Sequence, residues 1–355
     1  MSGLGPLPSP SPSPSLLPRA FNLAPYRNDT VGAILVVFQN PRAVIRTLRL
    51  FRAAYPESDL VIICDDGCYN FSAVAAHFNA HWEHRARRIT TKSNPGWYMR
   101  PPQMLAYYRA LAYALPLIGS RYYLHLETDT SVHKRLPPGP RYTLSGIVPI
   151  VSGWFAGLEQ YYCDRFNPFF RRDAWPVSPN PNFPGFQIPF GGQGGALFHT
   201  GFVRAIVTQP EEHVQAEIAL LGGCSTTLGI DYFMTALTYR FNGTVGPLAG
   251  GVNRPEVFTA EEVARAAIVH PDKSDYGAPL SELDYRILGP YWQTPLAALP
   301  PLPGDAAQPN GGCGGPEGFM KNYKPRLGEQ GLAEDAFKKG DKFDLAEIQG
   351  PGYHF

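Results

Sequence analysis

The segment Arg121-Tyr122-Tyr123-Leu124-His125-Leu126-Glu127-Thr128-Asp129-Thr130 decides the fold. A run of aromatic and aliphatic residues, Tyr122 to Leu126, stops at two acids one residue apart, Glu127 and Asp129. The run is too short for a free-standing helix and reads as a buried strand. In open α/β sheets, ligands lie beyond the carboxyl ends of the strands. Two carboxylates at such a point suit a hard divalent cation, since Mg²⁺ and Mn²⁺ prefer oxygen ligands and commonly bind through one or two carboxylates plus phosphates. The pattern points to a metal–diphosphate site at the end of a central strand. The same acids also fit a solvated turn, because acid-x-acid is common.

Upstream, residues 31–38 (VGAILVVF) read as a first strand, broken by Gln39-Asn40-Pro41. Pro41 suits the first turn of a helix that runs to about Ala54. Residues 59–64 read as a second strand that closes on Asp65-Asp66-Gly67, and a helix follows near 71–82. Residues 89–100 look irregular, and a long helix over about 102–118 leads into the acidic strand. This order predicts an α/β fold with a doubly wound, mostly parallel sheet. Downstream, residues 164–191 read as a long ordered loop over the sheet, and 191–199 (GGQGGALFH) as a glycine turn running into a strand. Two helices are expected over 201–221 and another from about 230 to 241. Residues 255–270 hold a helix in which Thr259 and Glu262 have the spacing of a capping box.

The ends read differently. Residues 1–28 form a Ser/Pro-rich arm that cannot bury enough surface to fold, and 291–355 an extended, Pro- and Gly-rich tail. That leaves 29–290 as a single domain with halves 29–135 and 136–290.

With 31 basic and 30 acidic residues the formal net charge is +1, so no global field draws the chain to nucleic acid or to a membrane surface. The cluster His84-Arg85-Ala86-Arg87-Arg88 fits a solvated face or an acidic ligand. The five cysteines are odd in number and lack zinc-type spacing. Cys64 reads as a buried small hydrophobe, and a Cys163–Cys224 disulfide stays open. No charged leader followed by an apolar core is visible, nor an apolar run long enough to span a bilayer. The sequons at Asn28, Asn70 and Asn242 read as chance matches. The expected location is cytoplasmic, with the secretory-pathway lumen open if an anchor lies outside this chain.

Further candidate residues each have a functional and a plain reading. Asp65 and Asp66, at the end of the second strand, suit a ribose hydroxyl in a doubly wound fold, or simple turn chemistry. The glycines around Gln193 let backbone approach a ligand and offer N–H groups to an anion, and fit a tight hairpin equally well. Asp231 suits a helix cap or a general base. His270 suits a metal of the Mn²⁺ kind or a structural role.

In this order, Glu127-Thr128-Asp129, the 191–195 glycine loop, Asp231 and His270 resemble the GT-A glycosyltransferases over roughly residues 30–275. That family carries a DxD motif, a glycine-rich loop, an xED motif and a C-terminal metal-binding His. The resemblance implies a nucleotide-diphosphate sugar as donor, Mn²⁺ or Mg²⁺ as cofactor, and a glycan, glycoprotein or small-molecule acceptor. It makes 29–135 the nucleotide-binding half and 136–290 the acceptor half. It implies that Asp129 and His270 ligate the metal, with Glu127 on metal-bound water or the ribose. Asp231 would deprotonate the acceptor hydroxyl, implying inversion at the sugar carbon. Phe38, Gln39, Asn40, Asp65 and Asp66 would hold the nucleoside. Gly192, Gln193 and Gly194 would line the donor, and Arg100 would reach a phosphate. Trp97, Tyr98, Trp154, Phe155, Tyr161 and Tyr162 are candidates for an acceptor platform, or for core packing. The first acid is Glu rather than Asp, and the xED position reads Gly229-Ile230-Asp231.

Two other functions fit the same sheet. A sugar-nucleotide nucleotidyltransferase usually carries a basic, glycine-rich loop after the first strand, where this chain has Gln39-Asn40-Pro41-Arg42. A catalytically inactive carbohydrate- or partner-binding module would use the Pro-rich arm for recruitment.

Overall fold

The computed structural model describes residues 27–37, 40–64, 69–83, 101–138, 142–146, 194–215, 234–235, 237–238, 241, 243–253, 255, 258–274 and 278–293. The expectations for the Ser/Pro arm up to residue 26, the 89–100 segment, the 164–191 loop and the chain beyond 293 lie outside these residues, while Arg27 and Asn28, expected in the arm, begin the first strand.

The first half follows the expected order with one strand added, His81–Glu83. Strand β1 (Arg27–Val37) leads to helix α1 (Pro41–Ala54), β2 (Leu60–Cys64), α2 (Ser72–His77), β3 (His81–Glu83), α3 (Pro101–Ala114) and β4 (Ser120–Leu126). The strands lie side by side as β3-β2-β1-β4, and each neighbouring pair is parallel. Ala33, Ile34 and Leu35 of β1 and Val61, Ile62 and Ile63 of β2 are all 0% exposed. Uninterrupted burial along a strand, rather than alternation, is what parallel strands covered on both faces require. The α/β class with a mostly parallel sheet is therefore borne out.

Helix α1 starts where Pro41 fixes its first turn. Asn40 caps it from the left-handed region (φ 61°), accepting the Ala43 N–H on Oδ1 at 3.2 Å. Val44, Leu48 and Phe51 are 0% exposed and share one helical face. Burying each side chain of this size contributes about 1.5–3 kcal/mol.

Strands β5 (Ser131–Val132), β6 (Leu144–Gly146), β7 (Leu197–His199) and β8 (Val245–Pro247) follow, with β9 (Gly251–Asn253) and β10 (Ile268–His270). The main sheet extends from β4 through β7, β6 and β8, with β7 antiparallel to both β4 and β6. Strands β5, β10 and β9 make a second, small sheet around Val252, Ala266 and Val269. The strand expected after the glycine turn is β7; β5, β6, β8 and β9 are too short to show a period in the sequence.

Two expected helices are shorter than the pattern suggests. The helix near 71–82 stops at His77, Asn79 turns left-handed at φ 48°, and His81–Glu83 pair with β2 as an edge strand. Asn tolerates that backbone region, which ends a helix locally. The helix within 255–270 spans only Ala260–Arg265, with its capping box formed as expected. Its apolar continuation, Ile268–His270, is a strand instead, because pairing with β5 and β9 overrides a run that fits either state. Of the 201–221 region, Thr200–Val207 is one helix and 211–215 a second helical turn.

The chain steps outward from β1 to β3 and then returns to β4 on the other side of β1. The right-handed rule for parallel crossovers assigns α1 and α2 to one face and α3 to the other. The carboxyl ends of β1 and β4 thus border the point where the strand order reverses, which is where such sheets bind ligands.

Candidate metal centre

Glu127 and Asp129 stand on a tied turn immediately after β4. The Thr130 N–H donates to the Glu127 carbonyl at 3.0 Å, and the Glu127 N–H donates to Thr130 Oγ1 at 3.1 Å. From α1, the Thr47 hydroxyl donates to the Thr128 carbonyl at 3.1 Å. The turn's backbone is thereby held between the strand and the first helix.

His270 arrives from far along the chain. Strand β10 pairs antiparallel with β5, Ile268 opposite Val132 and Val269 opposite Ser131. One further step of that register sets His270 across from Thr130. Its Nδ1 lies 3.3 Å from Thr130 Oγ1 and 3.4 Å from Asp129 Oδ1, and its Nε2 lies 4.0 Å from Glu127 Oε2. One ligand atom from each of Glu127, Asp129 and His270 falls within 4.8 Å of the other two. The side chains of Asp129 and His270 are 13% and 10% exposed and that of Glu127 is 37%, so Glu127 is the solvent-facing member.

The segment after His270 is clamped in place. The Asp272 N–H donates to the Asp129 carbonyl at 2.6 Å. The Asp272 carboxylate accepts from Ser131 Oγ at 2.5 Å and pairs with Arg46 of α1 at 3.3 Å. Arg46 also donates to the Asp272 carbonyl at 2.5 Å and to Ser274 Oγ at 2.8 Å. Burial opposes the charge on Asp272, but hydrogen bonds from Ser131 and Ser274 and the Arg46 cation outweigh it and hold the carboxyl below its ordinary range.

Gly194 closes the remaining side. Its N–H donates to Glu127 Oε1 at 3.1 Å. A Cβ at this position would lie 2.5 Å from Thr130 Oγ1 and 2.6 Å from His270 Nδ1, so only glycine fits. Gly195, at φ 89°, donates to the His125 carbonyl at 2.6 Å, and the His125 N–H donates to Ala196 at 2.8 Å.

The two carboxyls differ in electrostatics. For Glu127, burial works against the charge, but His125, the charge of His270 and the Gly194 N–H outweigh it and keep this carboxyl well below its ordinary range. For Asp129, burial pushes the carboxyl up, opposed by His270 and reinforced by the neighbouring Glu127 charge, and the net direction is up. Two acids forced together in this way are relieved by a cation between them. Two carboxylate oxygens and one imidazole nitrogen fit Mn²⁺ ahead of Mg²⁺, which favours near-octahedral oxygen sets and dehydrates reluctantly.

The structure thus brings together Glu127, Asp129, His270 and Gly194. Asn40 stands at the end of β1, its Nδ2 buried without a hydrogen-bond partner. Phe38, Gln39, Asp65, Asp66, Arg100, Gly192, Gln193, Asp231 and the six aromatic residues of the expected acceptor platform lie outside the described residues, as do Cys68, Cys163, Cys224 and Cys313. The sequence reading missed Thr130, Arg46, Asp272 and His125. The one signal for His125 was a lone polar residue inside an apolar run. Among the described residues, no helix is long and apolar enough to cross a membrane.

No family model and no curated protein matches the chain. Solved structures similar to it include the galactosyltransferase LgtC in complex with donor and acceptor sugar analogs, at 11% identity and a TM-score of 0.39, covering 72% of this chain and 95% of that one. An active-site mutant of LgtC gives 10% identity and a TM-score of 0.38, covering 72% and 94%. The bifunctional glycosyltransferase WbbM gives 13% identity and a TM-score of 0.34, covering 72% of this chain and 47% of that one.

Proposed function

We propose that this protein is a metal-dependent glycosyltransferase that moves a sugar from a nucleotide-diphosphate donor to a hydroxyl acceptor. The convergence of Glu127, Asp129 and His270 beyond the end of β4, beside the reversal of strand order, carries this reading. When bound, Mn²⁺ or Mg²⁺ supplies positive charge against the diphosphate as it leaves. Asp129, His270 and Glu127 would hold that cation, while Glu127 Oε1 accepts from the Gly194 N–H at 3.1 Å. Asn40 and its neighbours Phe38 and Gln39, with Asp65 and Asp66, hold the nucleoside at the end of the parallel strands. Arg100 steadies a phosphate, and Gly192 and Gln193 line the donor. Asp231 takes the proton from the acceptor hydroxyl, help of about 10²–10⁴ in rate, and transfer inverts the sugar carbon. In this reading 29–290 is the catalytic domain, with 29–135 the nucleotide half.

The test is incubation with a panel of nucleotide sugars and Mn²⁺. Donor hydrolysis that depends on the metal, and that Asp129→Ala lowers by at least about 10²-fold with an unchanged unfolding midpoint, supports the assignment. Full turnover by that variant removes the metal-clamp role. No donor binding and no hydrolysis by the parent protein favours the binding module.

A further inference from the structure

His125 is a buried polar residue of the β4 apolar run that the proposed chemistry does not use. It is 0% exposed, on the central strand β4. Its Nδ1 lies 3.1 Å from the Tyr107 hydroxyl of α3, itself 0% exposed. Its Nε2 is buried with no partner at hydrogen-bonding distance, and faces Glu127 Oε1 at 3.7 Å. Burying such a group without a partner costs about 1–3 kcal/mol, so its retention needs a reason.

The surroundings fix the tautomer. A bare Nε2 lone pair aimed at a carboxylate oxygen across 3.7 Å would repel it in a poorly solvated site. The proton therefore sits on Nε2, and Nδ1 accepts from the Tyr107 O–H. Glu127 Oε1 then faces two N–H groups, that of Gly194 at 3.1 Å and that of His125. Its other oxygen, Oε2, is the one turned to His270.

We propose that His125 is a positioning residue, held by Tyr107, that draws Glu127 Oε1 toward the protein so that Oε2 is presented to the cation. This rests on the metal-centre reading above. It also accounts for a buried polar ring between Leu124 and Leu126.

The experiment titrates the protein with Mn²⁺ alone and reads the free-ion signal by electron paramagnetic resonance. The side-chain amide of Gln reaches the place of imidazole Nε2, whereas that of Asn reaches the place of Nδ1. His125→Gln is expected to bind Mn²⁺ within about threefold of the parent, and His125→Asn to bind about 10–100-fold more weakly. A purely structural role would not separate the two by which ring nitrogen is replaced. Equal affinities for the two variants overturn the inference. Should His125→Asn fail to fold, Tyr107→Phe carries the test: several-fold weaker binding supports the inference, and parental affinity overturns it. If the parent and Asp129→Ala bind Mn²⁺ equally, the metal centre itself is wrong, an outcome read independently of His125.

Discussion

The parallel part of the large sheet and the small three-stranded sheet serve one centre by different kinds of order. Strands β1, β2 and β4 carry buried runs of strand length, with Ile34, Ile62 and Leu124 all 0% exposed. They deliver the two acids by a local event, the end of a strand. The small sheet has strands of two or three residues and a core of three buried side chains. It delivers His270 by pairing residues about 140 positions apart in the chain. The first region is made stable by buried area. The second is made accurate by register and by the clamp of Arg46 and Asp272. The proposed metal centre is stable where its residues are adjacent in sequence and vulnerable where they are not.

That contrast breaks first at the proposed ligands. His270→Ala removes the small sheet's contribution and is expected to lower turnover about 10²–10³-fold, measured as metal-dependent donor hydrolysis, with little change in unfolding midpoint. A collapse of the midpoint instead would mean that His270 is structural.

Next come paired core truncations, read by urea unfolding. Ile34→Ala in β1 should cost about 2–5 kcal/mol and leave Mn²⁺ affinity unchanged in the fraction that folds. Val269→Ala in β10 should cost only roughly 1.5–2 kcal/mol yet weaken Mn²⁺ binding, because it loosens the strand that carries His270. If both variants changed stability and affinity in proportion, the two regions would not be separable as described.

Gly194→Ala sharpens the contact between the regions. The added methyl meets Thr130 and His270 at once, so it should destabilise by about 1–3 kcal/mol and weaken Mn²⁺ binding as well. Parental values for both quantities would show that the glycine turn has room to move.

The smallest effect concerns pH. His199 ends β7 and caps the following helix, its Nδ1 accepting the Phe202 N–H at 3.1 Å, which requires a neutral ring. Burial first, and then the Arg121 charge, push this imidazole down from 6.5 to about 4. Between those values the unfolded chain binds more protons than the folded one. His199's contribution is therefore complete above about pH 6.5 and declines as pH falls toward 4. His199→Asn keeps a capping side chain without the titration. Urea midpoints at pH 7 and pH 5 should fall less in that variant than in the parent. Identical pH slopes would assign the acid sensitivity elsewhere.

Much of the parallel half was legible because its signals are local. Pro41 opens α1, the apolar runs of β1, β2 and β4 are strand-length, and Glu127 and Asp129 interrupt the last of them. The errors fell where a short segment's state depends on its neighbours. The region near 71–82 looked helical throughout, yet Asn79 ends the helix and β2 recruits His81–Glu83 as an edge strand. Ile268–His270 looked like the end of a helix, yet β5 and β9 draw it into a sheet.

By itself the sequence determined the α/β class, the strand that ends in acids and the capping box at Thr259, because strand-length apolar runs and terminal hydrogen bonds are set by residues close together in the chain. The tertiary structure decided how His270, which the resemblance had only implied, comes within reach of Glu127 and Asp129, that Gly194 tethers Glu127, and that His125 lies beside Glu127. Those facts depend on which distant strands exchange backbone hydrogen bonds and in what register, and a register carries no mark in either strand alone.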